Sequence, residues 1–362
     1  MKPSCLITAF AAVLVQFSVL AQTPSVHYTE AKDLTLVGNL FPDTPNPYHR
    51  MDTLRYPGLE HMDYLQATEA SGLSVAFKTN SKNIRILTDY GFRRFGVFAA
   101  AFAQRGYDLY IRENGKWCWA GACVADDAPD KSVPIVQNMD GTMHECLLYL
   151  PLYSEVYSVK IGVDKGSTIV PMDNPFRHRV GIFGSSYTHG GGATRSGMSY
   201  PAIFCRETGI QLLSLGVSGR SKLQPGFARA LADADVEAYI FDAFSNPSAQ
   251  MIRERLFPFI ETIQEKHPDI PLIFLQSIRR VNGNFDLVKR RADESLKAVA
   301  DSMMTIACKR YKNVYWVKTT NAESKEFDTT LEGLHPSDYG YFLWARSIEK
   351  PVLRILRKYG IK

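Results

Sequence analysis

The side chains of this chain best suited to chemistry fall in four short blocks of its second half. Gly184-Ser185-Ser186-Tyr187-Thr188-His189 offers serine hydroxyls and is followed by three glycines, Gly190 to Gly192. Leu215-Gly216-Val217-Ser218-Gly219 offers glycine backbone N–H groups, and Asp242-Ala243-Phe244-Ser245-Asn246 offers a side-chain amide. Glu332-Gly333-Leu334-His335-Pro336 sets a carboxylate three residues before an imidazole. Hydroxyl, imidazole, carboxylate and fixed N–H donors are the groups from which a covalent acyl-transfer site is assembled. Taken singly, each block has a plainer reading. A serine after a strand is commonly a helix N-cap, a glycine a turn residue, and Asn246 before Pro247 an Asx turn.

The blocks gain meaning from the elements that carry them. From about residue 175 the chain alternates apolar runs with helical stretches. Val180 to Phe183, Leu212 to Val217, Ala238 to Phe244, Leu272 to Ile278 and Val314 to Val317 read as strands. Met251 to Lys266, Leu287 to Tyr311 and Tyr339 to Tyr359, the last behind a Ser337 cap, read as helices. This rhythm predicts a five-stranded parallel sheet flanked by helices, with ligands bound beyond the carboxyl ends of the strands. Each block follows a strand or precedes the last helix, at that end.

The first half has period two. Leu73, Val75 and Phe77 alternate with polar or small neighbours, and so do Ile84 and Ile86. Tyr107 to Arg112 turns through Asn114-Gly115 into Trp117-Cys118-Trp119, a strong hairpin signal, and Cys146 to Tyr149 and Val156 to Val163 add strands. The expectation is a jelly-roll-like β-sandwich over residues 22–170, a linker at Pro171 to Pro175, and the α/β domain over 176–362.

Composition bounds the rest. The 362 residues are 45% hydrophobic and 22% charged, which suits folded domains and not a disordered chain. The excess of five basic residues is scattered, arguing against nucleic acid as a partner. Met1-Lys2, the apolar stretch Leu6 to Leu20 and Val19-Leu20-Ala21 predict a signal peptide over 1–21, cleaved after Ala21, and a secreted or periplasmic protein. Beyond it no apolar run approaches the roughly 18 residues of a membrane span, so no stable membrane insertion is expected. Export permits disulfides, with Cys118 pairing Cys123 or Cys146 as candidates and Cys205 and Cys308 as buried thiols. The absence of paired C-x-x-C spacing speaks against a zinc site.

The four blocks together, in register with the strands, resemble the SGNH (GDSL-type) hydrolase family over residues 175–355. Gly106-Tyr107-Asp108-Leu109-Tyr110 is similar to the β-sandwich that precedes this domain in a bacterial branch of that family. The resemblance implies a flavodoxin-like catalytic domain and a serine esterase without metal or organic cofactor. Ser186 would be the nucleophile. His335 would carry its proton to the leaving alcohol, as an imidazole suits both steps. Glu332 would hold the imidazole tautomer, and the N–H groups of Ser186 and Gly219 with the amide of Asn246 would receive the oxyanion. The family usually has Asp at both position 332 and position 185, so a Ser–His dyad stays open beside the triad.

Other motifs fail. The block at Ser186 lacks the final glycine of a nucleophile elbow, and the triple glycine lacks the Gly-Lys-Ser/Thr of a phosphate loop, so it reads as a flexible segment lining the site. His189 reads as solvent-facing, and Arg279-Arg280 as a solvated pair. The substrate implied by the resemblance is a small-molecule or glycan ester, with acetylated carbohydrate foremost. A lipase or lysophospholipase is the alternative; the lack of a long apolar lid stretch favours short acyl groups. A different class is a binding protein that stacks sugar on Trp117, Trp119 and Tyr110. Transfer of the acyl group to a sugar would use the same residues as hydrolysis.

Overall fold

The computed structural model describes residues 25–94, 96–125, 130–319 and 322–362; the predicted signal peptide lies outside them. The first half builds two antiparallel sheets from β1 (Val26–Glu30), β2 (Thr35–Val37), β3 (Ser74–Thr79), β4 (Ile84–Arg93), β5 (Gly106–Glu113), β6 (Lys116–Val124), β7 (Val133–Val136), β8 (His144–Tyr149), β9 (Ser154–Asp164) and β10 (Ile169–Pro171). One sheet runs β1-β9-β4-β7, the other β10-β3-β8-β5-β6 with β2 against β3. Alternate residues such as Val75, Phe77, Ile84, Ile86, Leu109, Leu148 and Ile161 are fully buried in the core they share, as period-two strands with one wet face require. The β5–β6 hairpin turns at Asn114 (φ 50°) and Gly115 (φ 78°), the left-handed pair that Asn-Gly accommodates.

Two short helices interrupt this half, α1 (His61–Thr68) and α2 (Ala101–Arg105). The second half holds five parallel strands, β11 (Arg177–Gly184), β12 (Ile210–Gly216), β13 (Ala238–Asp242), β14 (Leu272–Leu275) and β15 (Val314–Val317), in the order β12-β11-β13-β14-β15. That is the flavodoxin-like order, whose direction reverses at β11. Its helices are α3 (Ser186–His189), α4 (Tyr200–Thr208), α5 (Pro225–Asp233), α6 (Ala249–Gln264), α7 (Leu287–Arg310) and α8 (Asp338–Leu356). Alternate strand residues feed two cores. Val180, Ile182, Ile240 and Ile273 pack with Trp344 and Ile348 of α8, while Phe183, Tyr239, Phe241 and Phe274 pack with Phe227, Phe259 and Met304.

The two halves are not separated by a hydrated gap. Tyr110, Leu147, Tyr149, Leu152 and Tyr153 of the amino-terminal half join the first of those cores, and Leu40, Phe41, Met51 and Tyr56 join the second. Asp108, from the Gly-Tyr-Asp-Leu-Tyr stretch, seals the seam. It accepts from Arg195 (2.7 Å), the Gly197 N–H (2.9 Å) and Trp119 Nε1 (3.0 Å).

The disulfide candidates are not formed: Cys118, Cys123, Cys146, Cys205 and Cys308 are all free. Geometry gives the reason. Cys118 and Cys123 lie on one strand, about 16 Å apart at ~3.3 Å per residue. Cys118 and Cys146 both pair with Ile111 from opposite sides, so two strand spacings, about 9–10 Å, part them. Cys205 is buried as expected, whereas Cys308 is exposed.

Candidate active site

The sheet register brings the site together. Gly184 pairs with Gly216 on one side and Asp242 on the other, so three chain segments leave the sheet side by side. Ser186 is two residues past its strand end, Gly219 three and Asn246 four.

The turn holding Ser186 is built on a buried carboxylate. Ser185 caps α3 by accepting from Tyr187 N (3.2 Å), and its hydroxyl donates to Asp242 Oδ2 (2.7 Å). The Ser185 N–H and the Thr188 hydroxyl also donate to that oxygen, and Ser245 donates to its partner. Burial pushes the Asp242 carboxyl up to about 6, against the pull of these hydrogen bonds. A second carboxylate at position 185, the commoner residue in the resembling family, would face Asp242 with like charge; serine gives it a donor instead.

Ser186, His335 and Glu332 form one hydrogen-bonded chain. Ser186 Oγ is 3.0 Å from His335 Nε2, and His335 Nδ1 is 2.5 Å from Glu332 Oε1. The same carboxylate oxygen accepts the His335 backbone N–H at 3.1 Å. An Nδ1–H donated to the carboxylate leaves Nε2 as the acceptor facing the serine hydroxyl. Local structure makes the curl possible. Leu331 N–H bonds back to His335 O (2.8 Å), and Gly333 turns at φ +88° where a Cβ would stand 2.6 Å from that of Asn282. Ser186 and His335 are nearly buried, whereas Glu332 reaches solvent.

Gly219 lies exposed at φ +71° with open space around it, and Asn246 is half-buried with its Oδ1 unpartnered. The triple glycine is packed rather than flexible. Gly190 and Gly191 donate to Ser186 O, Tyr341 donates to Gly191 O (2.6 Å), and a Cβ on Gly192 would meet Pro336 O. His189 is fully buried, not solvent-facing. Its Nε2 lies 2.6 Å from Leu152 O and 3.1 Å from Glu69 Oε2, and burial lowers its pKa to about 4, so it is neutral near pH 7. Arg279 and Arg280 are engaged rather than solvated: Arg279 bonds Asn284 (2.6 Å), and Arg280 donates to Ser245 O (2.6 Å). Trp119 is 55% exposed but stands under Arg195, while Tyr110 is buried. Among the described residues no group of three or more His, Cys, Asp or Glu side chains is gathered as metal ligands would be.

Sequence reasoning missed the contribution of the amino-terminal half. Phe98, between β4 and α2, stacks on the His335 ring at 4.7 Å and 16°. Tyr153 stacks on His189 at 4.4 Å and meets Phe98 edge-on. Around Phe98 the stretch Val97 to Phe102 is wholly apolar, with Val97 fully exposed and Phe102 44% exposed. A short apolar stretch therefore borders the site. The run was visible in the sequence; its position over an imidazole 237 residues away was not.

Residues 177–354 match the model of the GDSL-like lipase/acylhydrolase family, and residues 26–169 match a model described as the N-terminus of SGNH-hydrolase-type esterases. A crystal structure assigned as a GDSL-like lipase from Bacteroides ovatus is 33% identical, with a TM-score of 0.87 over 92% of this chain and 98% of its own. The chain belongs to the GDSL-like lipase/acylhydrolase family of ester hydrolases. Two more distant structures share the fold. A salicylyl-acyltransferase from a tetracycline biosynthetic pathway has 17% identity and a TM-score of 0.71, covering 91% of this chain and 98% of that one. An acetyl xylan esterase from the rumen bacterium Butyrivibrio proteoclasticus has 12% identity and a TM-score of 0.55, covering 92% and 99%. No curated protein sequence matches the chain.

Proposed function

We propose that the protein is an exported serine esterase that removes short acyl groups, acetyl foremost, from carbohydrate. The amino-terminal sandwich (22–170) walls the catalytic domain (176–362). The observation that carries this is the unbroken Ser186–His335–Glu332 chain of hydrogen bonds.

In this reading His335 Nε2 takes the Ser186 proton as Oγ attacks the ester carbonyl. Glu332 stabilises the imidazolium, and the proton passes to the leaving alcohol as the tetrahedral intermediate collapses to an acyl-enzyme. Water, activated by the same imidazole, then releases the acid. The N–H groups of Ser186 and Gly219 and the Asn246 amide receive the oxyanion. The fold's occurrence in an acetyl xylan esterase supports a carbohydrate ester. The predicted signal at residues 1–21 supports export; no helix among the described residues is long and apolar enough to cross a membrane.

A second reading, an acylhydrolase of longer chains, is favoured by one observation: the exposed apolar stretch Val97 to Phe102 beside His335. Hydrolysis of p-nitrophenyl acetate, butyrate and octanoate by the mature chain separates the two. Acetate should be cleaved fastest, and Ser186→Ala should lose about 10³-fold or more in kcat. An octanoate preference would move the reading to lipids, and an unchanged Ser186→Ala would remove the serine mechanism.

A further inference from the structure

The side chains that grip the loop carrying Gly219 come largely from outside the catalytic half. Within its own turn it makes two backbone bonds, Val217 N–H to Gly184 O (2.9 Å) and Arg220 N–H to Val217 O (3.1 Å). Gln224 Nε2 adds one bond, to Arg220 O (2.5 Å); the other holds come from the segment around α1 and from Tyr153. Arg50, fully buried, donates to Gly216 O (2.8 Å) and ties that contact to Glu69 O and Gln66 O. Gln66 Nε2 donates to Ser218 O (3.0 Å), and the Tyr153 hydroxyl bonds Ser218 Oγ (3.3 Å). Arg220, closing the loop, pairs with Asp63 and Glu60 of the same helix start.

Ser218 C=O and Gly219 N–H belong to one planar trans peptide, so they point in opposite directions. Holding the carbonyl aims the N–H. The hold matters because Gly219 sits at φ +71° with nothing within 4 Å of where a Cβ would stand. A glycine beside a peptide lets that plane rotate at little cost, and rotation would turn the donor away from the oxyanion. Gln66 bears the mark of a group kept for such a task. Its Oε1 is buried without a partner, an arrangement that weakens stability and that a methionine of the same length would relieve. Only the donor side of the amide is used.

We propose that Gln66, supported by Arg50 and Tyr153, is a positioning residue that locks the Ser218–Gly219 peptide so that its N–H faces the oxyanion. The proposal rests on the serine-esterase reading above and makes the amino-terminal half part of the catalytic machinery. The test is Gln66→Met in the full mature chain, with p-nitrophenyl acetate as substrate and phenylboronic acid as a former of tetrahedral adducts on the serine. The expected result is a kcat about 10–100-fold lower with KM nearly unchanged. Boronate affinity should fall by a similar factor, and the melting temperature should stay near that of wild type, because the methionine removes the unpartnered Oε1 but also the donor to Ser218 O. Tyr153→Phe should show the same pattern at a few-fold, and carries the test if the methionine variant does not fold. A wild-type kcat in the variant that folds, or a lower kcat with boronate affinity unchanged, overturns the proposal. Ser186→Ala in the same assay separates the two failures. If it is inactive while Gln66→Met is fully active, only the lock is wrong; if it is fully active, the esterase reading falls and the lock with it.

Discussion

His335 is held by three different kinds of contact. A carboxylate takes Nδ1–H, a hydroxyl faces Nε2, and the Phe98 ring covers one face of the imidazole. In the proposed mechanism Nε2 returns its proton to the leaving alcohol, which would place that alcohol beside His335 and hence beside Phe98. Phe98→Ala should therefore lower kcat/KM more for phenyl acetate than for methyl acetate, by about tenfold if the aromatic contact contributes ~1–1.5 kcal/mol. An equal loss on both esters would mean that the ring only supports the imidazole. At this scale the sequence told which residue types stand at strand ends, since Ser186, Gly219 and Asn246 each follow an apolar run that is unmistakable. It was silent on Phe98, Gln66 and Arg50, whose contacts span 237, 152 and 166 positions and follow no periodicity.

Among the elements, the turn from β11 into α3 is the one that chemistry depends on most, and it stands on Asp242. The carboxyl is raised by burial from near 3.9 in an unfolded chain to about 6 in the fold. Between those values the folded state holds more proton than the unfolded one, so its contribution to stability is full below about pH 4 and lost as pH rises through about 6. The two-unit shift corresponds to roughly 3 kcal/mol. Asp242→Asn keeps the shape without the titration. Its stability relative to wild type, measured by urea unfolding at pH 4 and pH 7, should therefore improve by up to about that amount at the higher pH. The strands that position the turn were legible because parallel strands buried on both faces read as continuous apolar runs. The edge strands β1, β7 and β10 were not. They are short, partly exposed and rich in polar residues or proline, so their pairing comes from neighbours and not from their own pattern.

Across the whole molecule, the two halves share packed cores, and side chains of each bond to the other across the seam. Asp108 is one of these, buried and bonded to Arg195, Gly197 and Trp119 at once. Asp108→Ala would remove the carboxylate partner of Arg195 and leave the Gly197 N–H and the Trp119 indole N–H without their acceptor, a loss of about 3–5 kcal/mol. Thermal unfolding should shift to lower temperature as a single transition; two separated transitions would show that the halves melt independently. The sequence displayed the change of rhythm near residue 175 but not this seam. A strand reveals which face is apolar without revealing what lies against it.

The long reach of Arg50 has a temporal consequence. During folding the clamp of residues 50–69 on Gly216 and Ser218 can form without any residue beyond 220, whereas Ser186 must wait for His335, 149 positions further along. Under the proposed reading the loop that carries Gly219 is therefore clamped before the base arrives. Ester cleavage would then begin only when the segment carrying His335 docks against Ser186.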